Sequence, residues 1–381
     1  MRTSRTLATG AAALALSLMA TACGGSTDAA EDGPLVLGVI AEQTGPVPVL
    51  GLVVNGMEAA VDDVNKNGGI NGRQVQLDVR DSAGDPAKAV GILRAFDESG
   101  ISMVLGGAFG ASCAAEGPAA ERLDLVALCL STDPLPDETS RMFGVGSPYD
   151  VTVQAYSEEL SKYGNRIGVF AEKAQSGDDI DRLVPPAFAE KGVDAVIERT
   201  DPEATSYKAS IQRVIAQGVD ALWFTQCTPT VLAGVADAKA LGFTGNIMLM
   251  NCLSSDDIAA GLVNDAAKPG GQIVNLLPSL FDPKSSANPQ QRAAVDEYLK
   301  VVGTRDAVLA AGWDSVWIAK QAYEAADGTG GDNLQAALQN NFTFEGVWQR
   351  GVWTEDDHRG NDGVGMHVPV VVGSDGTWQP K

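Results

Sequence analysis

The sequence predicts an α/β fold made of two similar lobes, each a parallel sheet covered by helices. Three observations carry this. Short apolar runs without polar alternation recur along the chain, amphipathic helical stretches separate them, and the same rhythm restarts after a loop near Gly144–Asp150. A strand apolar on both faces must be buried on both, and that calls for covering helices and crossover connections.

In the first lobe the expected strands are Leu35–Ile40, Val75–Val79, Ile101–Leu105 and Leu125–Leu128. The helix Leu52–Lys66 stops at Gly68-Gly69, and another starts at Asp85-Pro86, a capping residue followed by proline in the first turn. In the second lobe the strands are Ile167–Ala171, Ala195–Arg199, Ala221–Thr225 and Ile247–Met250, with helices over Asp178–Lys191, Tyr207–Gln217 and Pro229–Leu241. The final third adds a strand at Ile273–Leu276 and helices at Pro289–Val302, Ala307–Ala326 and Leu334–Asn340. Short β pieces follow at Val347-Trp348, Gly351–Trp353 and Val368–Val372. The 381 residues suffice for one large or two ordinary domains.

The segment ahead of the first strand is of another kind. Arg2 and Arg5 precede an apolar run, Leu7–Ala20, too short for a comfortable bilayer span, and Ala20-Thr21-Ala22 lead into Cys23. Residues 1–22 are therefore expected to be a signal peptide. Small residues directly before a cysteine resemble the lipobox of bacterial lipoproteins. That implies lipidation of Cys23 and a place in the cell envelope, at the outer face of the cytoplasmic membrane or in the periplasm. Ordinary cleavage with Cys23 incidental is the alternative. Residues 23–33 have no apolar period and read as a flexible tether.

The net charge of −22 excludes nucleic acid and anionic lipid headgroups as partners for the bulk of the surface. Apart from Cys23, four cysteines remain in a chain expected to be exported, and an even number there favours disulfides. Cys129 ends a strand and Cys113 starts the helix after the neighbouring strand, while Cys227 and Cys252 follow consecutive strand ends. Of the three connectivities, Cys113–Cys129 and Cys227–Cys252 are expected. A thiol metal site is disfavoured because no histidine lies nearby.

Ligands of open parallel sheets sit outside the carboxyl ends of the strands, where unpaired N–H groups of helix N-termini hold anions. The loops there read Gln43-Thr44-Gly45, Asp81-Ser82-Ala83, Ala108–Ser112, Leu130-Ser131-Thr132, Gln175-Ser176-Gly177, Gln226-Cys227-Thr228 and Asn251-Cys252-Leu253. Their hydroxyls and amides suit a small polar solute. Catalysis finds no support. The two histidines, His358 and His367, lie near the C-terminus, and no G-x-S-x-G, H-E-x-x-H or G-x-G-x-x-G motif is present. Acid pairs such as Asp62-Asp63, Asp178-Asp179 and Asp256-Asp257 fall on helix surfaces or N-termini. No metal or cofactor is expected.

Leu35–Gly51 (LVLGVIAEQTGPVPVLG), Gly56–Leu77 (GMEAAVDDVNKNGGINGRQVQL) and Asp81–Val90 (DSAGDPAKAV) resemble, in order and at family spacing, the leucine/isoleucine/valine-binding protein family of type I periplasmic solute-binding proteins. The resemblance continues through Val219–Thr230, Asp237–Phe243, Trp313–Ala322 and the G-V-W-x-x-G-V-W segment. It implies two Rossmann-like lobes joined by a three-segment hinge, lobe 1 over residues 34–148 and 282–343 and lobe 2 over 149–281 and 344–381. It also implies a monomer that delivers a solute to two permeases and two ATPases of a branched-chain-amino-acid-type ABC importer. A sensor partnering a membrane receptor is the alternative use of the same fold.

The family's site maps onto Gly110, Ala111, Ser112, Leu130, Ser131 and Thr132 for the ligand's charged ends, Thr132 foremost, while Gln226 is a candidate from the second-lobe loop that it opens. The family's aromatics fall at Leu50 and near Ser176 and Cys227, and its ammonium-pairing acid falls near Asn251 or Cys252. None of those residue types stands there in this chain. A buried ammonium without a partner is expensive, so an amide, a small carboxylate or a larger apolar acid is expected. An amino acid would require Asp81 or Asp256 as a substitute acid.

Overall fold

The computed structural model describes residues 33–381 except 46–47, 133–134, 136–139, 174, 202–203, 229, 283, 285, 287 and 361–366. The expected signal peptide, Cys23 and all of the tether but Gly33 lie outside the described residues. The strands are β1 Leu35–Ala41, β2 Val75–Asp81, β3 Met103–Leu105, β4 Val126–Cys129, β5 Met142–Gly144, β6 Arg166–Glu172, β7 Asp194–Thr200, β8 Ala221–Phe224, β9 Ile247–Leu249, β10 Ile273–Pro278, β11 Phe342–Glu345, β12 Arg350–Trp353, β13 His367–Val372 and β14 Trp378–Pro380. The helices are α1 Val53–Lys66, α2 Pro86–Glu98, α3 Gly110–Leu123, α4 Tyr149–Leu160, α5 Gln175–Glu190, α6 Lys208–Ile215, α7 Val231–Ala240, α8 Asp256–Ala266, α9 Pro289–Val302, α10 Ala307–Ala325 and α11 Gly331–Gln339.

Two sheets organise the chain. The first has strand order β2-β1-β3-β4-β5 and is parallel throughout. The second has order β14-β13-β10-β9-β8-β6-β7; β6 to β10 are parallel, and β13 and β14 are added antiparallel at one edge. A separate hairpin pairs β11 with β12. The chain passes from the first sheet to the second after β5. After β10 it returns to pack α9 and α10 on α1, and it re-enters the second sheet at β13. Each sheet reverses its order of growth once, between β1 and β3 and between β6 and β8, and the crevices that accept ligands in such sheets open at these points.

The runs expected to be buried are buried: Leu37, Val39 and Ile40 of β1 and Leu222, Trp223 and Phe224 of β8 are all fully inaccessible. Fully burying one such aliphatic side chain contributes roughly 1.5–3 kcal/mol. Asp85 caps α2 as expected, its carboxylate accepting from the N–H groups of Ala87 at 2.8 Å and Lys88 at 3.2 Å. The contact between α1 and α10 depends on glycine. A methyl on Gly56 would overlap the Leu309 carbonyl, and one on Gly312 would overlap that of Val53. Among the described residues no helix is long and apolar enough to cross a membrane.

Two local readings need correction. Val347-Trp348 is not a strand; the strand lies earlier, at β11. The N–H groups of Val347, Trp348 and Gln349 donate instead to the buried carboxylate of Asp314 on α10, at 3.0, 2.6 and 2.7 Å. The loop expected near Gly144–Asp150 is shorter than that, because β5 reaches Gly144 and α4 begins at Tyr149. The helix α4 and the edge strand β14 were not foreseen.

Candidate functional site

The carboxyl ends of the two sheets face a shared cleft of about 260 Å³. This is slightly below the ~300–1,000 Å³ usual for drug-sized ligands, so the cleft suits a small molecule. Nine residues singled out from the sequence line it: Leu50, Gly110, Leu130, Ser131, Thr132, Ser176, Cys227, Asn251 and Cys252. Three do not. Ser112 is fully buried within the first turn of α3, and Ala111 beside it is also outside the lining. Gln226 is buried and donates through Nε2 to Thr200 Oγ1 at 2.9 Å. Both disulfides close as expected, Cys113–Cys129 and Cys227–Cys252. The second forms part of the cleft wall.

The first-sheet wall rests on β1, β3 and β4. Behind β1, Asp81 clamps the following loop: its carboxylate accepts from the N–H groups of Gln43 at 3.0 Å, Thr44 at 3.3 Å and Ala83 at 2.9 Å, and from Thr44 Oγ1 at 2.5 Å. The Thr44 hydroxyl, aided by these N–H groups, holds Asp81 below the usual carboxylate range. Glu42 lies beneath the loop after β3, almost fully buried, and accepts the Ala108 N–H at 3.2 Å. Burial pushes its carboxyl up while that N–H pulls it back. The helix α3 opens on the cleft with Phe109 as N-cap and no side-chain cap bond. By contrast, α10 starts capped: Asp306 accepts from Val308 and Leu309, and Ser254 Oγ accepts the Ala307 N–H.

The second-sheet wall takes Glu172 and Ser176 from the β6–α5 junction, Thr225, Cys227 and Thr228 after β8, and Met250, Asn251 and Cys252 after β9. Glu172 is the only charged side chain among the described lining residues. Its Oε2 accepts from Ser176 Oγ at 3.4 Å, and burial pushes its carboxyl up while that hydroxyl pulls it back. Neither Asp81 nor Asp256 lines the cleft, so the substitute acids considered from the sequence are not at hand. Asp256 lies in the first turn of α8, exposed.

Sequence reasoning missed Glu172, Tyr149 and Trp348, which line the cleft, while Phe109 lines it from within the Ala108–Ser112 loop read from the sequence. Phe109, Tyr149 and Trp348 give the cleft its rings, whereas Leu50, Ser176 and Cys227 supply none. Glu172 is the last residue of β6 and directly follows the expected strand Ile167–Ala171; it was passed over because the loop there was read only from Gln175. Trp348 belongs to a crossing segment with no periodicity, positioned by the Asp314 clamp and by Gln349, whose Oε1 accepts the Gly146 N–H at 2.6 Å.

A family model described as periplasmic binding protein matches residues 34–368. The chain belongs to that family. Its members are solute-binding proteins rather than enzymes, and among them this periplasmic binding protein is of the leucine/isoleucine/valine type. It is 24% identical over 314 residues to the leucine-, isoleucine-, valine-, threonine-, and alanine-binding protein of Pseudomonas aeruginosa, covering 79% of this chain and 81% of that one. It is 42% identical over 73 residues to the Leu/Ile/Val-binding protein BraC3 of Rhizobium johnstonii, a match that spans 19% of this chain and 20% of that protein. In fold it is similar to an extracellular ligand-binding receptor from Rhodopseudomonas palustris HaA2, with TM-score 0.78, 17% identity and coverage of 92% and 100%. It is similar likewise to a fatty acid ABC transporter substrate-binding protein from Thermomonospora curvata, with TM-score 0.72, 19% identity and coverage of 91% and 90%.

Proposed function

We propose that this chain is the extracytoplasmic receptor of an ABC importer, holding a small solute with a carboxylate or amide end and an apolar body in the cleft between its lobes. The observation that carries this reading is the cleft itself, lined from the carboxyl ends of both sheets. The uncapped start of α3 offers N–H groups and a partial positive charge to an anionic end, with the Ser131 and Thr132 hydroxyls beside it. Leu50, Val53, Ala311, Met250 and Trp348 supply the apolar surface. Similar proteins named for branched-chain amino acids and for a fatty acid take carboxylate-bearing solutes, which supports the same class here. In this reading lobe 1 comprises 34–148 with 282–343 and lobe 2 comprises 149–281 with 344–381. The lobes close on the solute about the three crossings, Cys23 carries a lipid anchor, and the monomer docks on permease subunits driven by ATPases.

The test is thermal unfolding of the purified protein against amino acids, amides, dicarboxylates and longer apolar acids. A ligand at one hundred times its Kd adds about 2.7 kcal/mol, a clear rise in Tm. A panel in which no carboxylate or amide raises the Tm refutes the proposal.

A further inference from the structure

We propose that Glu172 is the counter-ion for a cationic amine on the solute, so that the cleft selects compounds carrying an ammonium group in addition to the end held at α3. This rests on the solute-binding reading above and narrows it.

The argument is one of charge placement. Every other described residue lining the cleft is neutral, including Asn251 and Cys252. Among the described residues the Glu172 carboxylate has no ion-pair partner, and the hydrogen bond it accepts from Ser176 Oγ is long at 3.4 Å. Arg199, on the adjacent strand β7, has its guanidinium engaged with Asp178 at 2.8 Å and Asp181 at 3.0 Å. A half-buried carboxylate facing a cleft with no cation beside it is costly, and more so once closing lobes expel water. A ligand ammonium relieves that cost and forms a charge-assisted bond. Two further acids next to lining residues cannot do this: Glu42 lies behind the wall and is turned to the Ala108 N–H, and Asp306 is engaged in capping α10 through the Val308 and Leu309 N–H groups. A carboxylate at α3 and an ammonium at Glu172 would give a zwitterion one anchor on each lobe, so only the closed form would hold both.

The experiment compares two matched sets of compounds by titration calorimetry on the purified protein: leucine, 4-methylpentanoate and 3-methylbutylamine, then 6-aminohexanoate, hexanoate and hexylamine. The amine-bearing acid of at least one set should bind wild type roughly 10- to 100-fold more tightly than its des-amino partner, the range expected for removing one member of a desolvated charge pair. Glu172→Gln should erase that difference, and Glu172→Lys should reverse it in favour of the plain carboxylates, with the ligand-free Tm of Glu172→Gln at or above that of wild type. A merely structural Glu172 would lower the ligand-free Tm on substitution and leave the ratio intact. If the plain carboxylates bind wild type as tightly as the amino acids, the counter-ion assignment falls and the solute-binding reading stands. Silence from all six compounds at about 10 mM, where even millimolar Kd values give a signal, overturns the zwitterion inference. A shift in the wider panel from other carboxylates or amides would then still uphold the receptor.

Discussion

Replacing Glu116 with glutamine should stabilise the protein at alkaline pH and leave it nearly unchanged at pH 5. Glu116 sits on α3, fully buried, and neither of its carboxyl oxygens has a hydrogen-bond partner among the described residues. Burial, and then the charge of Glu42, push its carboxyl from an ordinary 4.5 up to about 8. The folded chain therefore keeps a proton on Glu116 at pH 7 that the unfolded chain releases. Between pH 4.5 and about 8 the native state holds the extra proton, so stability is full below that window and falls as pH rises through it. The slope is about 1.4 kcal/mol per pH unit for one proton, which accumulates to several kcal/mol by pH 8. A glutamine amide of the same shape does not titrate and lacks this slope.

The assay is urea unfolding of ligand-free wild type and Glu116→Gln at pH 5, 6, 7 and 8, followed by tryptophan fluorescence. The difference in unfolding free energy should grow steadily in favour of the variant with pH. Asp314, which burial pushes up to about 7 against its three N–H donors, adds a slope of the same sign to both proteins and drops out of the difference. Parallel curves would refute the reasoning, for they would mean that Glu116 is ionised or solvated in the native state.

Asp314→Ala strands the N–H groups of Val347, Trp348 and Gln349, and should lower stability by at least about 2–3 kcal/mol in urea titrations. Because Trp348 lines the cleft, any ligand found by the panel should also bind this variant more weakly. The disulfides span 16 and 25 residues, so the double serine variants should each lose about 3 to 3.5 kcal/mol. Only Cys227→Ser with Cys252→Ser should also change ligand affinity, since Cys113 and Cys129 lie outside the cleft lining; equal binding by both double variants would count against the cleft.

The fold was legible because its signals are local. Both-face apolar runs marked the strands of the parallel sheets, and Asp85-Pro86 marked the start of α2 with the bonds expected of it. What escaped depends on partners remote in sequence. The segment around Val347 carries strand-forming residues, yet its N–H groups are claimed by Asp314, 33 residues earlier. The helix α4 escaped because its polar residues, including the buried Thr152, Ser157 and Glu159, blur the apolar stripe that would announce it. The cysteine pairing was legible for the opposite reason: strands adjacent in a parallel sheet carry their following loops side by side, so cysteines at neighbouring strand ends meet whatever else the loops do.

The cleft was legible by position and not by chemistry. Reading the residues after each strand brought together Thr132, Ser131, Cys227 and Asn251, since sheet geometry places strand ends without regard to side-chain type. The expectation about charge asked only whether an acid stood at one inherited position, and it did not consider Glu172 on a neighbouring strand. A cleft needs its countercharge on the correct wall, and any strand ending on that wall can supply it. Here β9 ends in neutral Asn251 and Cys252, joined through the disulfide to the loop after β8, while β6, beside β8 in the same sheet, ends in Glu172. Under the counter-ion proposal a ligand's cationic group is met from the end of β6, two strands along the sheet from β9. Phe109, Tyr149 and Trp348 supply the aromatic part of the same cavity, to which Leu50, Ser176 and Cys227 add no ring. With Glu172 as the countercharge, a solute in this cleft turns its ammonium to the end of β6 and its apolar body to Phe109, Tyr149 and Trp348.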